Sequence, residues 1–272
     1  MKKVISCSRR TDIPAFYFDW LARAVKNRRA TVKAPYTGKE YVVSLAPEDV
    51  HTIVLWSKNF DNFLRRREVL KDYRLFFQFT INDCPLLEPN VQSLSRRIEQ
   101  AKEIASAYGA ERLHWRFDPI VFWENGRKNN LTSFERIACE MLRIGVTACH
   151  FSFATLYKKV LRRAEKAGLP FFDPPVPEKL AIAEKLSRIA LSLGITMFAC
   201  CNDEILPAPG VKKSSCVDGR LLWELSGEEC STERDRGQRK GCGCTESVDI
   251  GSYDLQPCRG GCIYCYARLS ED

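Results

Sequence analysis

The sequence has no apolar run that approaches the roughly twenty residues needed to span a bilayer, which excludes a membrane-spanning helix. Its first residues include the lysines of a signal peptide, but the apolar stretch ends at Cys7, and Arg9 and Arg10 follow. We therefore expect a cytoplasmic protein with no membrane partner. Histidine and methionine are also scarce, with three residues of each. The histidines lie singly in or beside apolar segments, so we expect buried imidazoles rather than catalytic groups.

The net charge of +8 does not by itself indicate a nucleic-acid partner. Much of it comes from arginine clusters such as Arg65–Arg67 and Arg162–Arg163, which on helices usually form solvated faces. A nucleic-acid interface needs basic residues gathered on one surface with aromatic residues between them. The sequence has no base-stacking motif, so such a partner is compatible with the charge but not favoured.

Cysteine is abundant, and its number and distribution indicate metal binding. The count of thirteen is odd, so complete pairing into disulfides is impossible, and a chain with no export signal should keep its thiols reduced. Seven of the thirteen follow residue 205. We expect this local excess to serve a metal or cluster, whereas Cys7, Cys84, Cys139 and Cys149 resemble small buried hydrophobic residues.

Short apolar segments alternate about six times with segments of helical period. This pattern predicts an α/β fold in which about six parallel strands form a partial or closed (β/α) barrel. The predicted strands are Val4–Cys7, Thr52–Trp56, Arg74–Thr80, Leu113–Phe117, Ala148–Phe153 and Ile195–Cys200. The predicted helices are Pro14–Arg28, Val91–Tyr108, Thr132–Ile144, Leu156–Ala167 and Pro177–Leu193, with a hairpin at Thr31–Leu45 centred on Tyr36–Lys39.

The regular pattern ends after Leu225, and Gly, Cys and charged residues dominate from Gly227 to Gly261. We therefore predict a barrel-like domain at 1–226 and a Cys-rich, cluster-binding extension at 227–272 that packs on it.

Every predicted strand ends in polar residues, and sites in parallel α/β folds lie at these carboxyl ends. We expect Arg9, Arg10, Lys58 and Arg116 to make the site cationic, suited to a carboxylate or phosphate on an anionic small-molecule substrate. Asp12 and Asp118 are candidate orienting carboxylates in the same catalytic set. The candidate ligand-binding residues are Asn59, Gln78, Thr80 and Ser152.

Cys258, Cys262 and Cys265 have the spacing CxxxCxxC, with Gly260 and Gly261 between the first two. Close cysteines separated by small residues let the backbone wrap around a 4Fe–4S cluster, and three ligands leave one iron open for a small molecule. The alternative is a structural zinc held by these three thiolates and one more.

With Tyr264 before its last cysteine, this motif resembles the CxxxCxφC signature of the radical S-adenosylmethionine superfamily, where φ is aromatic. The resemblance implies S-adenosylmethionine on the open iron, cleavage of that molecule by an electron from the cluster, and contact with Tyr264. It also implies an external reductant such as ferredoxin or flavodoxin. Two features differ: the motif lies at the C-terminus, and no Gly-Gly-Glu follows a second strand.

Over nearly its whole length the chain resembles a family known as domain of unknown function eighteen-forty-eight. The resemblance rests on phrases such as Ser8–Pro14, Trp56–Asn59, Trp115–Pro119 and Asp249–Tyr253. It implies the C-terminal cluster and a second, auxiliary one on Cys200, Cys216, Cys242 and Cys244. Cys201 and Cys230 are spare in this scheme, and either could replace Cys200.

Three functions follow from these patterns. The first is a radical S-adenosylmethionine-like enzyme that carries one or two 4Fe–4S clusters. The second is an iron–sulfur electron-transfer or sensor protein that does not cleave S-adenosylmethionine. The third is a repair enzyme that acts on nucleic acid.

Overall fold

The computed structural model describes residues 1–35 and 37–269. The strands are β1 Lys3–Cys7, β2 Arg29–Lys33, β3 Glu40–Ser44, β4 Val50–Ser57, β5 Leu75–Thr80, β6 Leu113–Ile120, β7 Phe122–Trp123, β8 Lys128–Asn129, β9 Ala148–Phe153, β10 Phe171–Phe172, β11 Thr196–Ala199, β12 Val211–Lys213 and β13 Val248–Asp249. The helices are α1 Ile13–Phe16, α2 Phe18–Lys26, α3 Asp61–Arg65, α4 Leu94–Tyr108, α5 Phe134–Ile144, α6 Lys158–Lys166, α7 Val176–Ser192 and α8 Gly219–Ser226. None of the described helices is both long enough and apolar enough to cross a membrane.

The large sheet has eight strands, all parallel, in the order β12-β11-β9-β6-β5-β4-β1-β13. All six predicted strands are present and parallel, which confirms the α/β prediction. The two further strands stand at the edges and are too short to give a periodic signal. In the part of the chain that the structure describes, no pairing joins β12 to β13, so closure into a barrel is not shown.

Alternation along the strands separates two faces of this sheet. Odd-numbered side chains such as Ile53, Phe77, Trp115 and Phe151 are buried against α2, α4, α5 and α7 in the main core. Even-numbered side chains such as Val4, Val54 and Phe76 form a second core with α8 and the cysteines around it. Because side chains alternate with period two, one strand supplies both cores, and polar residues at even positions point toward the cysteines.

The predicted hairpin is present as the antiparallel pair β2 and β3, although Tyr36 near its turn lies outside the described residues. The predicted first helix is divided into α1 and α2 at Tyr17. Asp12 caps α1 by accepting a hydrogen bond from Ala15 N at 3.0 Å. This cap places Asp12 at the carboxyl end of the sheet.

Candidate functional site

The last strand directs the C-terminal cysteines to the carboxyl edge of the sheet. Because β13 runs parallel to β1, the chain leaves it at the edge where the other strands also end. Asp249 fixes this junction by accepting hydrogen bonds from Ser6 Oγ at 2.8 Å, Ser8 Oγ at 2.7 Å and Arg9 N at 2.8 Å. The segment that carries Cys258, Cys262 and Cys265, which we call the tail motif, therefore lies over the strand ends.

The thiols of Cys258 and Cys262 lie close to Gly260, and the charge of Cys262 interacts with those of both Cys258 and Cys265. A Cβ atom at Gly260 would lie 3.5 Å from Cys258 Sγ and 3.7 Å from Cys262 Sγ, so any larger residue would fill the space between these sulfurs. The amides of Asp12 and Gly260 donate to Cys258 Sγ, and Ala267 N donates to Cys265 Sγ at 3.4 Å. Backbone donors of this kind stabilise thiolates and tune iron–sulfur sites.

Without a metal these sulfurs are thiols. Burial raises the pKa of Cys258 to about 12, and burial also raises the pKa of Cys262 and of Cys265. Metal binding needs thiolates, so loading the tail motif must release protons.

Tyr264 joins the tail motif to a buried ion pair. Its hydroxyl donates to Glu88 and accepts from Lys58 Nζ at 2.8 Å, while Lys58 Nζ lies 2.6 Å from Glu88 Oε1. Glu88 is only 2% exposed and also faces Arg97 at 3.5 Å. Burial favours the neutral forms, but the opposite charges prevail: the pKa of Lys58 is raised and that of Glu88 is lowered.

Asp12 connects the tail motif to the end of β4. Besides capping α1, its carboxylate accepts from Ser57 Oγ at 2.6 Å and from Lys58 N at 2.9 Å. Burial raises the pKa of Asp12 to about 6, and these hydrogen bonds limit the rise. The Asp12 amide donates to Cys258, and the Asp12 carboxylate is bonded to the end of β4. Asp12 therefore links the first cysteine of the tail motif to α1 and to the strand ends.

A second thiol group lies on the even-numbered face of the sheet. Cys200, Cys201, Cys216, Cys242 and Cys244, which we call the five-cysteine group, make side-chain contacts in a closed ring in which each thiol meets two others. The Cys200 and Cys216 sulfurs are 3.6 Å apart. The four cysteines predicted for an auxiliary cluster are thus together, and Cys201 is with them. Cys230 is not, because its thiol donates to Gly219 O at 3.2 Å.

Arg116 joins the five-cysteine group to the polar strand ends. Its Nη1 lies 2.8 Å from Cys216 Sγ, and its Nη2 donates to Asp118 Oδ2 at 2.6 Å. Gln78 Nε2 donates to Cys216 O at 2.6 Å, and Ser152 donates to Asp118. Hydrogen bonds with Cys200 and Cys244, together with the charge of Arg116, lower the pKa of Cys216. Hydrogen bonds with Cys201 and Cys244 also lower the pKa of Cys242, to about 3.

The histidines are buried or partly buried and hydrogen-bonded, as expected. His150 contacts His114 at 2.8 Å and Ser214 Oγ at 2.7 Å. His51 contacts Glu228 O at 2.8 Å on the opposite edge of the sheet.

The family model described as Domain of unknown function (DUF1848) matches residues 4–267. The chain belongs to this family. The match covers both thiol groups and all eight strands of the large sheet. No curated protein matches the sequence. The DUF1848 description gives no reaction and no cofactor, so the likeness of the tail motif to radical S-adenosylmethionine enzymes remains a prediction.

Among the described residues of this DUF1848 chain, no group of three or more Cys, His, Asp or Glu side chains could hold a metal ion as it stands. In the five-cysteine group the thiols touch one another, so they must separate to admit a metal. In the tail motif the requirement differs, because the cysteines of a cubane cluster bind different irons and need not converge on one point.

The four cations predicted to attract an anionic substrate each face a carboxylate. Lys58 pairs with Glu88 and Arg116 with Asp118. Arg9 and Arg10 lie 3.8 Å and 3.9 Å from Asp249. The positive charge expected at the strand ends is thus largely balanced within the DUF1848 chain.

The remaining predicted ligand-binding residues divide by position. Thr80 ends β5 beside Arg116, at the site. Asn59 instead accepts hydrogen bonds from Gln100 Nε2 and Asp61 N, both at 3.0 Å, which assigns it to the turn before α3. Glu88 is not among the predicted site residues, because it is a lone carboxylate in a loop and no sequence pattern marks it.

Proposed function

We propose that this DUF1848 chain is an iron–sulfur enzyme whose tail motif binds a 4Fe–4S cluster with one open iron. The observation that carries the proposal is the position of the tail motif at the strand ends, where Cys258 Sγ and Cys262 Sγ both lie close to Gly260 and backbone amides donate to Cys258 Sγ and Cys265 Sγ. This arrangement suits a cluster whose fourth iron faces a small molecule. When bound, the cluster would supply one electron to S-adenosylmethionine or another ligand on that iron.

The chain's own residues would hold and tune this centre. The Asp12 and Gly260 amides would donate to the Cys258 thiolate. Lys58 places a positive charge near Cys262, which favours the thiolate form of that cysteine.

Tyr264 would hold the tail motif against Glu88 and Lys58. It is 6% exposed and hydrogen-bonded to Glu88, so it is engaged in the protein and does not offer a free ring for an adenine to stack on. An adenine would therefore need a different contact from the one that the superfamily resemblance implies.

The five-cysteine group would hold an auxiliary metal centre. Thiolates select zinc or iron–sulfur clusters. A second cluster there would pass electrons from a reductant such as ferredoxin or flavodoxin toward the tail motif. Both groups approach Arg9 at the end of β1, the tail motif through Tyr266 and the five-cysteine group through Cys244 and Cys242.

One observation favours a second candidate, an electron-transfer protein without a small-molecule reaction. Lys58, Arg116, Arg9 and Arg10 all face carboxylates, which leaves less charge to bind an anionic substrate. Electron transfer needs no such charge.

Anaerobic reconstitution with iron and sulfide tests the proposal. We expect about four irons per chain if only the tail motif is loaded and about eight if both groups are. After reduction, added S-adenosylmethionine should give 5'-deoxyadenosine. Cys258→Ala, Cys262→Ala and Cys265→Ala should each remove one cluster and this product.

Cys84→Ala is the matched control, because Cys84 is buried in the same apolar cluster as Cys262 but lies outside the motif. It should keep the full iron content. Stoichiometric zinc without iron after anaerobic purification would contradict the proposal. A reducible cluster that gives no 5'-deoxyadenosine would favour the electron-transfer candidate.

A further inference from the structure

We propose that Arg9 supports the metal centre of the five-cysteine group without binding the metal, by donating a hydrogen bond from Nη1 to a sulfur of that centre. The inference rests on the proposed auxiliary centre and adds a residue that the ligand spacing does not reveal.

The Arg9 side chain is held beside Cys244 by two contacts. Its Nη2 donates to Ser247 Oγ at 2.7 Å and lies 3.4 Å from Asp235 Oδ2. Asp235 N in turn donates to Cys244 O at 3.0 Å. The guanidinium is close enough to Cys244 and Cys242 for its charge to interact with both. Arg9 therefore reaches the five-cysteine group from the end of β1.

One donor of this guanidinium is left over. Nη1 of Arg9 is buried and has no hydrogen-bond partner among the described residues. The Arg9 side chain is only 15% exposed, so solvent has little access to it. A buried donor without an acceptor destabilises the protein, so such groups usually have a hydrogen-bond partner. Metal-bound thiolates or sulfides at the adjacent group would supply the acceptor and a balancing negative charge.

The same residue is tied to the tail motif. Tyr266, one residue beyond Cys265, donates its hydroxyl to Arg9 O at 2.6 Å. Arg9 thus contacts the tail motif through its carbonyl and approaches the five-cysteine group through its side chain. A change at one thiol group can in this way alter the position of a donor at the other.

The test measures zinc affinity of the five-cysteine group by competition with a chromophoric chelator, in the full chain carrying Cys258→Ala, Cys262→Ala and Cys265→Ala. In this background Arg9→Gln should weaken zinc binding 10–100-fold, the usual cost of losing an outer-shell partner. Arg9→Lys keeps the charge but not the forked donors and should give a smaller loss. Arg112→Gln is the matched control, since the partly buried Arg112 guanidinium donates to Leu225 O, and should change affinity by about twofold at most.

Equal affinities for the Arg9→Gln and Arg112→Gln proteins would overturn the inference. If Arg9→Gln fails to fold, Arg9→Lys decides: unchanged affinity overturns the inference, and weaker binding supports it. Absence of zinc binding in the background itself would also overturn it. The proposed tail cluster is judged separately, by iron content and 5'-deoxyadenosine in the chain with an intact tail motif.

Discussion

Glu88 shows how one buried carboxylate can hold a loop motif against a sheet. It accepts from Tyr264 and Lys58 and faces Arg97, so one anion balances two cations in a nearly dry environment. Breaking a buried pair by removing one partner costs about 3–5 kcal/mol, because the remaining charge is left without compensation. Glu88 therefore supports both the tail motif and the fold around it.

We expect Glu88→Gln to lower the free energy of unfolding by about 3 kcal/mol, measured by urea denaturation. The matched control is Glu99→Gln, since Glu99 also pairs with an arginine, at 3.1 Å, but is 60% exposed. Its effect should stay below about 1 kcal/mol. Similar losses in the two variants would show that Glu88 acts as an ordinary surface charge.

At the residue scale, the spacing of the cysteines indicates candidate metal ligands but not the side chains that surround them. Cys258, Cys262 and Cys265 were predicted because their ligand geometry is local in sequence. No local pattern marks Glu88, because its partner Tyr264 lies 176 positions away in the sequence. Spacing does not predict a role for Cys201, because it cannot show which of two adjacent cysteines turns toward a distant group.

At the scale of elements, the short strand β13 decides where the tail goes. Two residues pair with β1, and Asp249 adds bonds from two serine hydroxyls and a backbone amide. Gly251 follows at once, and a Cβ there would lie 2.1 Å from Ser8 Oγ. The tail thus passes so close to the end of β1 that only glycine fits.

We expect Asp249→Asn to loosen the tail locally. The Asp249 carboxylate accepts four hydrogen bonds, from Ser6, Ser8, Arg9 N and Gly251 N. An amide cannot accept all four or balance the charges of Arg9 and Arg10, and hydrogen bonds to a charged group are worth about 1.5–3 kcal/mol each. Hydrogen exchange should rise at 248–265 and remain slow in β4 and β5. Asp254→Asn serves as control, because Asp254 lies in the same segment but is 54% exposed. Unchanged exchange at 248–265 in Asp249→Asn would show that the carboxylate is dispensable.

At the scale of the whole molecule, Glu228, which follows α8, is paired with residues at the amino ends of strands in the large sheet. It pairs with Arg74 and with Lys2 at 3.0 Å, residues that precede β5 and β1. Hydrogen bonds from Arg74 and Lys2 lower its pKa to about 2. Its contribution to stability is therefore present above the ordinary carboxyl pKa of 4.5 and is lost as the pH falls toward 2.

The free energy of unfolding should accordingly fall more steeply between pH 4.5 and pH 2 in the natural protein than in Glu228→Gln. The carboxylate is at the surface, so the difference between the two curves should shrink in about 1 M salt. Parallel curves at low salt would show that the two ion pairs do not stabilise the fold.

The fold was easier to predict than the site for a physical reason. Strands such as β4 and β9 are buried on both faces and have a strong apolar signal, and their order in the sheet follows their order in the chain. The polar ends were also located correctly. What the sequence could not show is the pairing of Arg9, Arg10, Lys58 and Arg116 with carboxylates, since each pair depends on packing between separate elements.

The position of β13 also bears on how the chain matures during synthesis. The outer edge of β1 is paired only when β13, more than 240 residues later in the chain, has been made. Until then β1 presents an open edge, the kind of surface through which nascent chains associate. Closure of that edge and arrival of the tail thiols therefore belong to one late step, because the tail motif follows β13 directly in the chain.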